Sequence, residues 1–286
     1  MTSSLEKKID FAVIFEVRNA NPNGDPLNGN RPRTDYNRLG EVTDVCLKRK
    51  LRDRLQDAGH AIFVQSDDRK TDEETSLRNR AEKILGKDAF KKNANRDKTA
   101  SMACQQWLDE RAFGQVFAFG KDSDGGAGGV SIPIRGPVTI QSAFSMEPVN
   151  ITSTQITKSV SGEGDGSKRG SDTMGMKHRV DFGVYSTFGS INPQLAERTQ
   201  FTNDDADLIK SALPRLFEND ASSARPDGSM QVLRVVWWRH NSKGGQYSSA
   251  KVHQSLRDLL KSDGSFDEKA LKGSLVGLEP EIISGF

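Results

Sequence analysis

The densest group of chemically capable side chains lies near the start, in the run Arg18-Asn19-Ala20-Asn21-Pro22-Asn23-Gly24-Asp25-Pro26-Leu27-Asn28-Gly29-Asn30-Arg31-Pro32-Arg33. Asparagine amides and the free N–H groups of tight turns donate hydrogen bonds to phosphate and sugar oxygens, and arginine supplies the charge a polyanion requires. Arg18, Asn19, Asn21, Asn23, Gly24, Arg31 and Arg33 are therefore candidate contacts to a polyanion backbone. Lys48, Arg49, Lys50, Arg52 and Arg54 follow and extend the same positive character. The plainer reading is a long surface loop followed by a solvated helix. Asp25 and Asp35 offer a different chemistry, because a carboxylate can orient a 2′-hydroxyl or hold a divalent metal. An aspartate in Pro22-Asn23-Gly24-Asp25 is nonetheless first a turn-former.

Elsewhere the chemistry thins out. His60, His178, His240 and His253 are scattered, with no pairing visible for acid–base work. Cys46 and Cys104 are too few and too far apart for a disulfide framework or a metal cluster. No His/Cys/Asp/Glu spacing matches zinc ligation, and no cofactor is implied. Asp124-Gly125-Gly126-Ala127-Gly128-Gly129 is glycine-rich but lacks the Gly-Lys-Ser/Thr of a phosphate cradle.

The elements that must position these groups begin with Ile9, Phe11, Val13, Phe15 and Val17, which alternate as in a strand. Thr43 or Asp44 caps a helix with a Leu47, Leu51, Leu55 and Ala58 stripe that stops at Gly59. Strand and helix pack together while the loop and basic flanks stay in water. Ala61-Ile62-Phe63-Val64 reads as a short strand. Residues 73–92 read as one helix with Leu77, Ala81, Ile84 and Leu85 inward, and residues 100–113 as another. Strands follow at 115–119 and 130–134, then at Val138, Ile140, Ser142 and Phe144. Residues 151–160 continue extended, the Gly- and Ser-rich residues 161–176 form a mobile tip, and Val180, Phe182, Val184 and Ser186 return as a strand. Together they make a protruding hairpin. Asn203-Asp204-Asp205 starts a helix that breaks near Pro214. Residues 230–240 form a central strand with Trp237 and Trp238 in the core, and residues 251–261 form the last helix.

With 286 residues there is room for one large domain or two small ones. The net charge of +2, from 41 basic and 39 acidic residues, creates no global attraction for nucleic acid. Any such site must come from local segregation of charge. The opening residues lack a hydrophobic signal core and no apolar run is long enough to span a bilayer, so a cytoplasmic, membrane-free protein is expected.

Four pieces in order carry a resemblance: Asn21-Pro22-Asn23-Gly24-Asp25-Pro26, Asn30-Arg31-Pro32-Arg33, Val42-Thr43-Asp44-Val45 and Leu47-Lys48-Arg49-Lys50. Together they resemble the start of the CRISPR-associated Cas7 family, most nearly its Csd2 branch, the repeated backbone subunit of type I-C Cascade. The resemblance implies a subunit that coats guide crRNA without reading its sequence, in a head-to-tail row with copies of itself. Other Cascade subunits and, through the guide, target DNA are the further partners implied. The hairpin resembles the family's thumb, which displaces one guide base at regular intervals. Lys158, Lys168, Arg169, Lys177, His178 and Arg179 would hold phosphate there, with Arg135 as a further RNA contact and Met174 or Met176 as the apolar wedge.

The expected fold is α+β: an RRM-like (ferredoxin-like) βαββαβ palm. It forms one domain over 1–286, with a helical insertion at 66–113 and a β-hairpin thumb at 145–180. The open face of the first strand would carry Ala12 and Ile14 rather than aromatics, so RNA is held by its backbone more than by stacked bases. No catalytic residue is expected. The rivals are a metal-dependent ribonuclease of the type III backbone kind using Asp25 or Asp35, and a pure protein scaffold.

Overall fold

The computed structural model describes residues 3–119, 130–159 and 174–286. In chain order it opens with β1 (Ile9–Ala20), β2 (Gly24–Asp25), β3 (Arg31–Pro32), β4 (Leu39–Val42) and α1 (Asp44–Asp57). Three helices follow, α2 (Leu77–Leu85), α3 (Arg96–Gln106) and α4 (Leu108–Phe113). Next come β5 (Gly114–Phe119), β6 (Val130–Arg135), β7 (Val138–Ile140), β8 (Ala143–Pro148), β9 (Ile151–Thr157) and β10 (Met174–Ile191). The chain finishes with α5 (Pro193–Thr199), α6 (Asn203–Ala212), β11 (Met230–Arg239), α7 (Ser249–Arg257), α8 (Glu268–Ser274) and β12 (Glu281–Ser284).

β1 lies inside an antiparallel sheet of order β12-β11-β1-β10-β8-β4, with β7 and β9 also paired to β10. Phe11, Val13, Phe15 and Val17 face one side, where Leu47, Leu51 and Leu55 of α1 and Ala206 and Ile209 of α6 cover them. Both crossover helices therefore sit on the same face. On the opposite side Ala12 and Ile14 are buried with Val184, Phe188, Val236 and Trp238. Val252 and Leu256 of α7 and Leu271 of α8 close that side. The expectation of an open face at Ala12 and Ile14 is thus corrected. The chain after β11 carries its own apolar stripe, and the second face of the sheet is where that stripe is buried. The helix expected at 251–261 ends at Arg257, with α8 beyond it.

Trp237 and Trp238 are both buried, on opposite faces, as a central strand requires. Strict alternation places Leu233 with Val235 and Trp237, but a bulge intervenes: Ile14 pairs with Arg234 and Phe15 with Val232. Leu233 consequently packs on the second face and Val232 on the first.

Thr43 caps α1 by accepting from the Cys46 N–H. The basic flank of this helix stays in water only in part: Arg49 is exposed, but the others are buried or half-buried, and all five are paired with acids. Lys50 is only 3% exposed and pairs with Asp220, and Arg54 is buried against Asp57. Arg52 Nε donates to Asp109 Oδ2 at 2.9 Å, Lys48 pairs with Asp44 at 2.9 Å, and Arg49 with Asp53 at 3.4 Å. Positive residues on a helix that is packed on a sheet and crossed by other elements must carry acids with them, because an unpaired buried charge costs several kcal/mol, on the order of 3–5.

The region 61–119 builds a separate core from Phe63, Ala81, Phe90, Ala103, Trp107 and Phe117, together with Ile132 and Ile134 of β6. Its helices are shorter than the periodicity suggests. α2 stops at Gly86, which has a φ of 85°, and Ile84 is half-exposed. The second expected helix starts earlier, at Arg96 capped by Asn95, and breaks at Trp107, whose ring lies 4.7 Å from that of Phe63. Residues 61–64 are not a strand: the N–H groups of Phe63 and Val64 donate to the Asp109 carboxylate at 2.7 and 3.0 Å. Among the described residues, no helix is long and apolar enough to cross a membrane.

Candidate nucleic-acid interface

The front run folds around its own amides. Asn21 is buried, and its Nδ2 donates to the Asn30 carbonyl at 2.7 Å. Asn23 Oδ1 accepts from the Thr43 N–H at 3.0 Å and its hydroxyl at 2.9 Å, tying the loop to the start of α1. Gly24 pairs with Pro32 in the small β2–β3 hairpin, and Arg33 lies 3.4 Å from Asp25. Asn21, Asn23, Gly24 and Arg33 therefore shape the loop with the groups assigned to ligand contact. Sequence reading finds them because loop-forming and anion-binding residues are the same types.

What remains facing solvent is a smaller set. Arg18, Asn19 and Arg31 are exposed, and Asn19 has a φ of 52°, which bends the end of β1. Arg38, not singled out from sequence, is also exposed. Its carbonyl accepts from the Val149 N–H at 3.0 Å, placing it beside the turn that enters β9. Arg31 and Arg38 form no ion pair among the described residues. The Asp181 N–H bonds to the Asn150 carbonyl at 3.0 Å, so the end of β1, the front loop and the start of the β9–β10 ribbon form one continuous end of the sheet.

The ribbon runs outward from the Val180–Ile151 pair to the Met174–Thr157 pair, seven registered positions, or about 20 Å at strand rise. Its outer end carries exposed Met174, Met176 and Ile156, while Lys177 and Arg179 are exposed along it. Arg179 lies 3.6 Å from Asp181. His178 does not face outward as a phosphate contact would: it is buried, with Nδ1 2.8 Å from the Ser153 hydroxyl. Lys158 follows β9 at the exposed end. Lys168, Arg169, residues 161–173 of the expected tip and the glycine run 124–129 lie outside the described residues, whereas 174–176, expected in the tip, are strand and pair with β9. Arg135 is exposed at the end of β6, in the separate β5–β6 sheet, and belongs to a different surface element.

The acids and histidines are placed as follows. Asp25 Oδ1 accepts from the Leu27 N–H at 3.2 Å, and Asp35 Oδ1 accepts from the N–H groups of Asn37 and Leu39 at 2.9 and 2.8 Å. Both are turn acids. The histidines are less scattered in space than in sequence. His240 Nε2 lies 2.8 Å from Asp10 Oδ2 and His253 Nε2 lies 3.6 Å from Asp10 Oδ1, all three buried. His240 Nδ1 accepts from the Gln246 N–H, so its proton sits on Nε2 and points at Asp10. Burial raises the Asp10 pKa, but bonds from His240, Ser249 and Lys8 outweigh it and hold the group below the usual aspartate value. Burial pushes the His253 imidazole down. This clasp joins β1, β11 and α7 inside the protein, away from the exposed end of the sheet.

A family model described as CRISPR-associated protein Cas7 matches residues 7–270. The chain belongs to the Cas7 family. A curated relative, CRISPR-associated protein Cas7 of Haloferax volcanii, is 29% identical over 279 residues, spanning 93% of this chain and 79% of its own. Among solved structures, a chain of a CRISPR RNA-guided surveillance complex in a pre-nicking state matches with a TM-score of 0.50 at 15% identity, covering 93% of this chain and 85% of that one. A chain of another CRISPR RNA-guided surveillance complex gives 0.49 at 14% identity, covering 96% and 87%. The Cas7 match spans the front loop, the helical region, the ribbon and α7, so each belongs to the family domain.

Proposed function

We propose that this Cas7 protein is a backbone subunit of a CRISPR RNA-guided surveillance complex that coats guide crRNA independently of sequence. In this reading it is the type I-C Cascade subunit of the Csd2 branch, stacked head-to-tail with its own copies beside other Cascade subunits, in the cytoplasm. It presents the guide for pairing with target DNA. The observation that carries the reading is the gathering of Arg18, Asn19, Arg31 and Arg38 at one end of the sheet, beside a ribbon whose described residues include exposed Met174 and Met176. Exposed cations, of which Arg31 and Arg38 form no ion pair among the described residues and Arg18 only a loose one with Glu16, beside exposed turn backbone suit ribose-phosphate, which is recognised by charge and amide donors rather than base edges.

The palm is taken as RRM-like: the order β11-β1-β10-β8 with α1 and α6 on one face supports it. Residues 66–113 are taken as the insertion and 145–180 as the thumb. The subunit is also taken as non-catalytic, supported by the use of the Asp25 and Asp35 carboxylates on their own turns. The test is binding of single-stranded RNAs of unrelated sequence and increasing length, followed by mass measurement. The expected result is salt-sensitive binding of all of them, with copy number rising with length, and a shallower salt dependence by about one unit of slope in Arg31→Ala. Tight binding to one short sequence alone, or Mg²⁺-dependent cutting lost in Asp25→Ala or Asp35→Ala, would overturn it.

A further inference from the structure

The second face of the sheet is not covered to its end. Moving along β10 from Phe188 and Val184, both buried under α7 and α8, the next side chain on that face is Phe182, which is 45% exposed. Its direct cross-strand partner on β1 is Arg18. The guanidinium carbon of Arg18 stands 4.7 Å from the centroid of the Phe182 ring. Glu16, the nearest acid to Arg18, is 3.7 Å away, beyond hydrogen-bond distance. Sequence alternation alone assigns Phe182 to the buried side with Val180 and Val184. Asn19, in the left-handed region, interrupts the alternation of faces there, and the next registered pair, Ala20 and Val180, packs on the first face.

We propose that Phe182 and Arg18 form a stacking platform for one unpaired base of the bound single strand. The proposal rests on the RNA-coating reading and adds a base-binding subsite to it at the root of the ribbon, distinct from the methionines at its outer end. An aryl ring and a planar guanidinium held across a strand pair present π surface and positive charge together. A nucleobase attached to phosphate uses both, and it does so whatever its identity because every base has a π face. A single half-exposed ring beside one arginine is far smaller than the ~800 Å² per partner of a standard protein interface. Arg31 and Arg38 at the same end of the sheet supply the phosphate side of the contact.

The test compares a single-stranded oligoribonucleotide carrying 2-aminopurine with an abasic ribose-phosphate strand of the same length, using the full chain. In the wild type the 2-aminopurine emission is quenched on binding. Phe182→Leu keeps an apolar side chain and removes the π face. It is expected to weaken the base-bearing strand about fivefold or more, as loss of one stacked base does, and to leave the abasic strand unchanged. Phe182→Trp is expected to retain binding and quenching, and Arg18→Gln to weaken both strands. Phe182→Leu binding both strands like the wild type, or losing both equally, overturns the platform while leaving the RNA-coating reading intact. Failure of the wild type to bind either strand overturns that reading and the platform with it.

Discussion

Glu110 is fully buried in α4, and neither of its carboxylate oxygens has a hydrogen-bond partner. Burial, reinforced by the neighbouring Asp109 charge and only partly offset by Arg52, pushes its pKa from 4.5 up to about 9. Such a group is neutral in the folded protein at pH 7 and ionised in the unfolded chain. Its contribution is therefore fully present below pH 4.5 and is lost as pH rises toward about 9. Within that window the slope is about 1.4 kcal/mol per pH unit. Between pH 7 and pH 8.5 the loss is about 2 kcal/mol, large against a typical total of roughly 5–15 kcal/mol. This interval lies above the window of His253, whose lowered pKa acts below 6.5. Urea denaturation of wild type and Glu110→Gln at the two pH values measures the effect. The wild type should lose stability across the interval, and the variant should be flatter and the more stable of the two at pH 8.5. Equal slopes in the two proteins would refute the assignment of the pH dependence to this carboxyl.

Arg52→Gln should destabilise by about 3 kcal/mol by stranding the buried Asp109 carboxylate, with two backbone N–H bonds limiting the loss; RNA affinity per folded molecule should stay unchanged, checked by thermal melts and titration. Gly189→Ala places a methyl 2.2 Å from the Phe11 ring and 2.6 Å from the Thr139 carbonyl, and should cost about 3 kcal/mol in chemical denaturation. Met174→Ser with Met176→Ser removes exposed apolar surface from the ribbon and should leave the melting temperature within about 2 °C, since each exposed change is worth under ~0.5 kcal/mol. It should reduce the regularity of RNA-dependent assembly, read as the distribution of copy number on one RNA length.

Some of this protein was decided locally and is therefore legible in the chain. The alternation from Ile9 to Val17 fixes a strand, the Thr43 cap and leucine stripe fix α1, and Thr202 with Asp205 starts α6 as a capping box. The paired apolar faces around Trp237 and Trp238 identify a central strand, and the four ordered pieces from Asn21 to Lys50 identify the family, because turn chemistry and helix caps are short-range. Charge is different. Which cations are available depends on where acids distant in sequence arrive. Lys50 is buried beside Asp220, Arg52 is held by Asp109, and His240 and His253 meet at Asp10. A local run of lysine and arginine contains no information about those partners. Exposure of one ring on a strand also depends on the extent of the layer above it, and α7 and α8 stop short of Phe182. Local signals settled the first strand, α1, the central strand at 230–239 and the family, but not the bounds of the helices in 73–113 and after Ser249. Only the tertiary packing, through long-range ion pairing and coverage of the second sheet face, decided which of its polar and aromatic groups are left free for a ligand.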